Sequence, residues 1–143
     1  MNIRTVTACL TITAVFGLGV FTGLIAQNTT AVQNLTDSPQ RVEQKRADLS
    51  GAPGMEVIAS IAEYKKGEKL ESHVHHGLEV GYVLQGSMVQ MPGQEPALLP
   101  AGYTEIHVRD GRHGGFTVVG DTPLKLYSVH IVDKGKPLYV YAE

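Results

Sequence analysis

Residues 67–86 read GEKLESHVHHGLEVGYVLQG and contain an H-x-H-x-x-x-E pattern formed by His73, His75 and Glu79. Side chains two residues apart on an extended strand point to the same face, so both imidazoles can reach one point. The carboxylate follows after a short segment with a glycine, where the chain can bend back. Two imidazoles and a carboxylate suit a divalent transition metal. The pattern therefore predicts a metal site, and a surface strand that happens to carry histidines is the alternative.

The composition is that of one globular domain. The chain has 143 residues and a formal net charge of −2, which allows one domain with a real core. It has no basic stripe, so we expect no nucleic-acid partner. The only cysteine is Cys9, so a protein that lives outside the cytoplasm would not depend on a disulfide.

Residues 1–26 have the pattern of an export signal. Arg4 precedes residues 8–26, which are uncharged and mostly apolar. Ala26 is a suitable small residue before a cleavage site, but Leu24 stands where a small residue is preferred. The apolar stretch is also nearly long enough for a bilayer, which takes about 20 residues. We expect a cleaved signal peptide or an N-terminal anchor helix that tethers the protein to a membrane. Either would place the protein in the periplasm or outside the cell.

The remaining chain divides into a polar linker and a β-rich domain. Residues 27–50 are polar, and residues 41–49 within them are expected to form a short helix or a lead-in strand. Residues 51–143 show short apolar or alternating stretches, such as residues 113–119, between Gly and Pro turns. This spacing is typical of an all-β sandwich or closed barrel. A barrel of this size leaves a pocket for a small ligand at one end.

The later part of the chain offers further ligand candidates: Glu105, His107, His113 and His130. His107 shares a strand face with Glu105 and is expected at the surface or rim. His130 lies on the strongest β stretch and is expected to be a core histidine or an acid–base group beside the site. Tyr82 and Tyr127 are expected to pack rather than to line the pocket.

The quoted stretch resembles the first sequence motif of the cupin superfamily. That motif places a glycine, H-x-H, a glutamate and a second glycine at the spacing of Gly67, His73, His75, Glu79 and Gly86. Every one of those positions is matched. The resemblance implies an antiparallel cupin β-barrel of the jelly-roll type.

The resemblance covers about residues 41–143 and implies a second motif with one histidine. In one register residues 100–102 supply its Pro-x-Gly, and Glu105 takes the place of the histidine. In the other register Gly102 opens the motif and His113 takes that place. The second register is preferred because it supplies a histidine and leaves room for the intervening strands. It departs from the motif at three positions, where Pro, Gly and Asn are replaced by Val108, Asp110 and Thr117.

The resemblance implies one divalent metal ion held by His73, His75, Glu79 and His113. Iron, manganese, nickel, copper and zinc are all compatible with this donor set. Two octahedral positions would stay open, as in non-haem iron oxygenases, and Glu79 could remain bound or detach to act as a base. The family relationship also makes a homodimer the expected assembly.

Three functions are compatible with these features. The first is an exported metal-dependent oxidoreductase, dioxygenase-like, that acts on a small organic molecule. The second is a periplasmic module that binds a metal or small molecule without turnover. The third is a structural dimer that the metal only stabilises.

Overall fold

The computed structural model describes residues 38–141, and the described chain forms eleven β-strands and no helix. Nor does this part of the chain contain a helix long and apolar enough to cross a membrane. The predicted signal or anchor in residues 1–26 lies outside the described residues. In chain order the strands are β1 Arg41–Asp48, β2 Met55–Tyr64, β3 Lys69–Leu70, β4 His73–Val74, β5 Gly77–Gln85, β6 Ser87–Gln90, β7 Ala97–Leu99, β8 Thr104–His107, β9 Phe116–Val118, β10 Leu124–Asp133 and β11 Val140–Tyr141.

The larger layer is a five-stranded antiparallel sheet in the order β1-β2-β10-β5-β8. Strands β2 and β10 pair along their whole length, from Tyr64 opposite Leu124 to Met55 opposite Asp133. Along β2, every second side chain is buried. This alternation is expected of a strand that turns one face to a core.

The second layer is a four-stranded antiparallel sheet in the order β3-β9-β6-β7, and β4 pairs separately with β11. Buried side chains of both sheets contact one another. This apolar core comprises Ala62, Tyr64, Val83 and Leu124 from the first sheet and Val89, Phe116 and Val118 from the second. The two sheets therefore pack face to face as a β-sandwich. A smaller cluster contains Ile58, Val132, Leu138 and Tyr139.

The all-β prediction is confirmed for the described residues. Residues 41–49 contain a strand, β1, and not a helix. The strand expected over residues 113–119 is shorter and begins only at Phe116. The reason is that Gly114 and Gly115 have φ angles of 73° and 80°, in the left-handed region that a strand cannot use.

Candidate metal centre

Four predicted ligands meet in the structure. His73, His75, Glu79 and His113 each offer one donor atom, and these atoms all lie within 4.8 Å of one another. We call these four residues the His/Glu cluster. His73 and Glu79 lie on β4 and β5, His75 follows β4 directly, and His113 lies in the irregular segment before β9. The preferred second-motif register therefore brings His113 to the other three residues. Metal binding by the cluster remains a prediction.

The backbone around the cluster is fixed by close contacts. His73 and His113 exchange two backbone hydrogen bonds, each 3.0 Å from N to O. A Cβ atom at Gly114 would lie 3.1 Å from the His73 ring, and one at Gly77 would lie 2.1 Å from the Ile131 carbonyl oxygen. Glycine is therefore required beside His113 and at the start of β5.

The three imidazoles of the cluster share one hydrogen-bonding arrangement. Each ring has its Nδ1 atom at a backbone carbonyl oxygen, to which the N–H donates. The pairs are His73 with Glu71 at 2.8 Å, His75 with Leu138 at 2.5 Å, and His113 with Gly111 at 2.9 Å. A proton on Nδ1 leaves the lone pair on Nε2. This is how metal-binding histidines are usually oriented by their surroundings.

The inward-facing atoms of the cluster are therefore all acceptors. Nε2 of His113 lies 3.1 Å from Nε2 of His75 and 3.0 Å from Oε2 of Glu79. Nε2 of His75 lies 3.1 Å from the same oxygen. Nε2 of His73 is buried and has no hydrogen-bond partner. Lone pairs that face one another in a buried site are unfavourable without a cation between them, so the cluster fits a divalent metal ion.

The protonation states agree with this fit. Burial lowers the pKa of His73 to about 4, against the opposing effect of its hydrogen bond to the Glu71 carbonyl. Burial raises the pKa of Glu79, but hydrogen bonds donated by His113 and His75 outweigh it and bring that pKa well below its ordinary value, and a cation in place of the donated protons would act in the same direction. A neutral imidazole and an ionised carboxylate are the forms that bind metals.

Two buried rings, those of His130 and Tyr139, contact residues of the cluster. His130 on β10 is directly opposite Glu79 in the register, and its Nε2 lies 3.4 Å from Glu79 Oε1. Burial lowers the pKa of His130 to about 3, so the ring is neutral. Tyr139 packs edge-on against the His73 ring at a centroid distance of 4.5 Å. His130 therefore lies beside the site, which was one of its two expected positions, and it is not part of the cluster.

His107 and Glu105 form a pair next to His113. The His107 ring stacks on the His113 ring, with centroids 3.7 Å apart and planes within 8° of parallel. Nε2 of His107 lies 3.2 Å from Oε1 of Glu105. Neither residue belongs to the His/Glu cluster. His107 was expected at the surface or rim, and the structure shows a half-buried ring that supports His113.

A cavity of about 130 Å³ adjoins the cluster. Glu79 and His113 form part of its wall, together with Glu105 and mostly apolar side chains. Tyr82 also lines the cavity, although it was expected to pack, and Tyr127, for which packing was also expected, is exposed on β10. Two of the four cluster residues, Glu79 and His113, are therefore within reach of a small molecule in the cavity.

Two other polar residues are placed outside the cluster. His76 lies at the surface, where its Nδ1 is 3.2 Å from a carboxylate oxygen of Asp110. Gln90 is exposed and donates to the Gln94 carbonyl oxygen at 3.1 Å. Sequence reasoning missed Leu138 and Tyr139, which hold His75 and His73 from the C-terminal segment. No motif marks them, because one acts through its backbone and the other through its ring.

Comparisons with solved structures identify the fold. The chain is similar to a protein with a double-stranded β-helix domain from Klebsiella pneumoniae, with 17% identity, a TM-score of 0.53, and coverage of 75% of this chain and 88% of the other. It is also similar to the polyketide cyclase RemF from Streptomyces resistomycificus, with 19% identity, a TM-score of 0.50, and coverage of 73% and 74%. A third similar structure is a cupin superfamily protein from Desulfitobacterium hafniense, with 14% identity, a TM-score of 0.40, and coverage of 68% and 82%.

No protein-family profile and no curated protein matches the sequence. The structural likeness therefore shows a double-stranded β-helix fold of the kind found in cupins. At such low identities the structural likeness establishes the fold alone. The reaction has to be argued from the site.

Proposed function

We propose that this protein is an exported metal-dependent oxidoreductase of the cupin fold that acts on a small organic molecule. One divalent ion would be held by His73, His75, Glu79 and His113. The observation that carries the proposal is the meeting of three inward-facing Nε2 atoms and one ionised carboxylate at the wall of a cavity. Without such an ion, a proton on His75 or His113 would have to lie between the facing acceptors.

The groups around the proposed ion would each contribute to binding or to chemistry. A divalent ion bound here would supply a Lewis acid and, in the case of iron, manganese or copper, a redox centre. The backbone carbonyls of Glu71, Leu138 and Gly111 hold the three rings with Nε2 inward. His73 and His75 are each only 1% exposed, so water reaches the cluster mainly from the cavity side.

The Glu105–His107 pair supports an enzyme rather than a passive binding module. Glu105 lines the same cavity as Glu79 and His113, and His107 holds one of its oxygens. A carboxylate so placed can accept a proton from a molecule in the cavity. Catalytic turnover needs an acid–base group beside the metal site, whereas storage of a metal does not need one.

Export rests on the N-terminal sequence. Arg4 followed by the apolar residues 8–26 supports a signal peptide or a membrane anchor. N-terminal sequencing of the protein from fractionated cells tests this. A start at Gln27 in the soluble periplasmic fraction indicates cleavage after Ala26, and an intact N-terminus in the membrane fraction indicates an anchor. Recovery in the cytoplasm would contradict export.

The metal proposal is tested by elemental analysis of the full chain, purified without a polyhistidine tag. We expect about one transition-metal ion per chain, since a site with three histidines and one carboxylate holds one ion. His113→Ala should lose most of this metal. His76→Ala is the matched control, because it removes a surface imidazole outside the cluster, and it should keep the metal.

Oxygen uptake with small organic compounds then separates the first two functions. Uptake that depends on the bound metal and is lost in His113→Ala supports the oxidoreductase. Iron, manganese or copper without oxygen uptake would favour the binding module. Absence of any metal from protein grown with each of these ions in turn would contradict the proposal.

A further inference from the structure

We infer that the cavity beside the metal centre selects a small uncharged molecule with an apolar body and a hydroxyl group, and that Glu105 determines this selectivity. The inference rests on the proposed function, because the metal centre supplies one wall of the cavity. It adds the chemical class of the ligand, which follows from the other walls.

The apolar body is indicated by the hydrocarbon side chains in the cavity lining. There are six of them: Leu70, Val83, Val89, Leu99, Phe116 and Leu126. They belong to the apolar core or pack against it. A ligand with an alkyl or aryl body gains free energy by displacing water from such a surface. The volume of about 130 Å³ limits that body to a small molecule.

An anionic ligand is disfavoured by the charges around the cavity. No lysine or arginine is among the residues that line it in the described chain. Binding sites for carboxylates and phosphates usually provide such a cation, most often arginine. The acidic side chains in this wall are Glu79 and Glu105. A bound divalent ion would therefore already be faced by two carboxyl groups before an anion arrived.

Glu105 is placed in the cavity by a glycine on the neighbouring strand. In the β5–β8 register Glu105 is directly opposite Gly81. A Cβ atom at Gly81 would lie 3.2 Å from Cγ of Glu105, tighter than an ordinary carbon–carbon contact. Because Gly81 has no side chain, the Glu105 side chain can lie across strand β5 at this position.

A hydroxyl is the group that fits the remaining requirements. His107 contacts one oxygen of Glu105, and the other oxygen can still accept a hydrogen bond. An ionised carboxylate only accepts, so the ligand must donate. An ammonium group donates as well, but two carboxylates would only balance the charge of a bound divalent ion, so the site would offer a cation no net negative charge. An uncharged hydroxyl compound therefore suits both walls.

The inference is tested with three probes that share one ring: benzyl alcohol, benzoate and benzylamine. Each is titrated calorimetrically into the zinc-loaded full chain, because zinc is redox-inert and no turnover then disturbs the measurement. We expect benzyl alcohol to bind at least about tenfold more tightly than either ion, as one unfavourable charge contact at partial exposure would produce. The zinc content of the same samples is measured first.

Two variants assign the selectivity to Glu105. In Glu105→Gln we expect benzoate to bind at least about fivefold more tightly than in the parent protein, because one negative charge is removed. Benzyl alcohol should change little, since a hydroxyl can accept as well as donate, and the amide NH2 that replaces the free oxygen can donate to it. Glu95→Gln is the matched control. It removes the same charge from an exposed turn between β6 and β7, outside the cavity, and should leave all three affinities unchanged.

The outcomes distinguish this inference from the proposed function. Protein that holds no zinc overturns the metal proposal, and the alcohol-to-benzoate ratio in the metal-free chain then still decides the inference. Tighter binding of benzoate than of benzyl alcohol overturns the inference, whether or not zinc is present. It is equally overturned if Glu105→Gln leaves the ratio unchanged or if none of the probes binds.

Discussion

The interior of the sandwich has two ends with opposite chemistry, although the same strands form both. Strand β10 contributes Leu124 to the apolar core and His130 to the surroundings of the His/Glu cluster. Strand β5 likewise contributes Val83 to the core and Glu79 to the His/Glu cluster. All four side chains are buried. The strand pattern therefore explains where these residues point, and it does not explain why the side chains of the His/Glu cluster are polar.

The two ends make different contributions to the free energy of unfolding. Burial of apolar surface stabilises a fold by about 25 cal/mol per Å². Burial of polar groups without partners costs about 1–3 kcal/mol each. The apolar end therefore holds the fold together, and the polar end weakens it until a cation joins the facing acceptors. Mutations and metal removal should separate these two contributions.

Truncation at the apolar end should have the largest effect on stability. Leu124 is fully buried in the apolar core, so Leu124→Ala should lower the free energy of unfolding by about 2–5 kcal/mol. Urea unfolding of the metal-free chain measures this. The exposed Leu98, which lies on β7, provides the control, and Leu98→Ala should change the same quantity by less than about 0.5 kcal/mol. Equal losses in the two variants would contradict the division into two ends.

Metal removal should have the next largest effect, and it should act only through the polar end. An ion present at about a hundred times its Kd stabilises the folded state by about 2.7 kcal/mol. Thermal melts with and without a chelator should show this difference for the parent protein and for Leu124→Ala. In His113→Ala the two melts should coincide. A chelator effect that persists in His113→Ala would place the ion elsewhere.

A methyl group beside His73 should disturb both the backbone and the metal centre. Gly114 has a φ of 73°, and a Cβ atom there would lie 3.0 Å from the Glu71 carbonyl oxygen. Gly114→Ala should cost about 1–2 kcal/mol for the left-handed backbone alone. The added methyl group would contact both that carbonyl and the His73 ring, so metal affinity should also fall. A competition titration with a chromogenic chelator measures this affinity. Gly135→Ala is the control, since Gly135 has a similar φ and a Cβ atom added there would have no neighbouring atom within 4 Å. It should lose stability without losing affinity.

Replacement of His107, whose ring stacks on His113, should have the smallest of these effects. His107→Ala removes the support of His113, and metal affinity should fall on the order of tenfold, as for other groups that orient a ligand. His107→Phe keeps a flat ring and should recover most of that loss. The same chelator competition measures both variants. If Phe and Ala behave alike, stacking on His113 does not orient that ligand.

The motif in residues 67–86 predicted much of the site because strand spacing is a local property. The spacing of His73 and His75 follows from extended geometry. Gly77 was expected to allow a bend, but it begins β5 and leaves room for the close approach of β10. The all-β fold followed from short alternating stretches between turns. His113 could be chosen over Glu105 only through the resemblance to cupins, since nothing local in the sequence distinguishes them.

The remaining features depend on contacts between distant parts of the chain. The Nδ1 partner of His75 is a backbone carbonyl 63 residues away, at Leu138, and a backbone atom leaves no trace in sequence. The stacking of His107 on His113 and the space that Gly81 leaves for Glu105 depend on the register of β8 against β5. A one-residue shift would turn both side chains to the other face. Such registers cannot be read from a single sequence to the residue.

X-ray absorption at the metal edge tests the central claim most directly. The full chain is loaded with one equivalent of the metal that it carries when purified, and the extended fine structure is fitted for the number of imidazole ligands. Three imidazoles bound through nitrogen together with an oxygen donor are expected from the orientation of His73, His75 and His113. In His113→Ala, which should lose most of its metal, the imidazole count averaged over the added metal should fall below two. A site with no imidazole, or a count that His113→Ala leaves unchanged, would contradict the account.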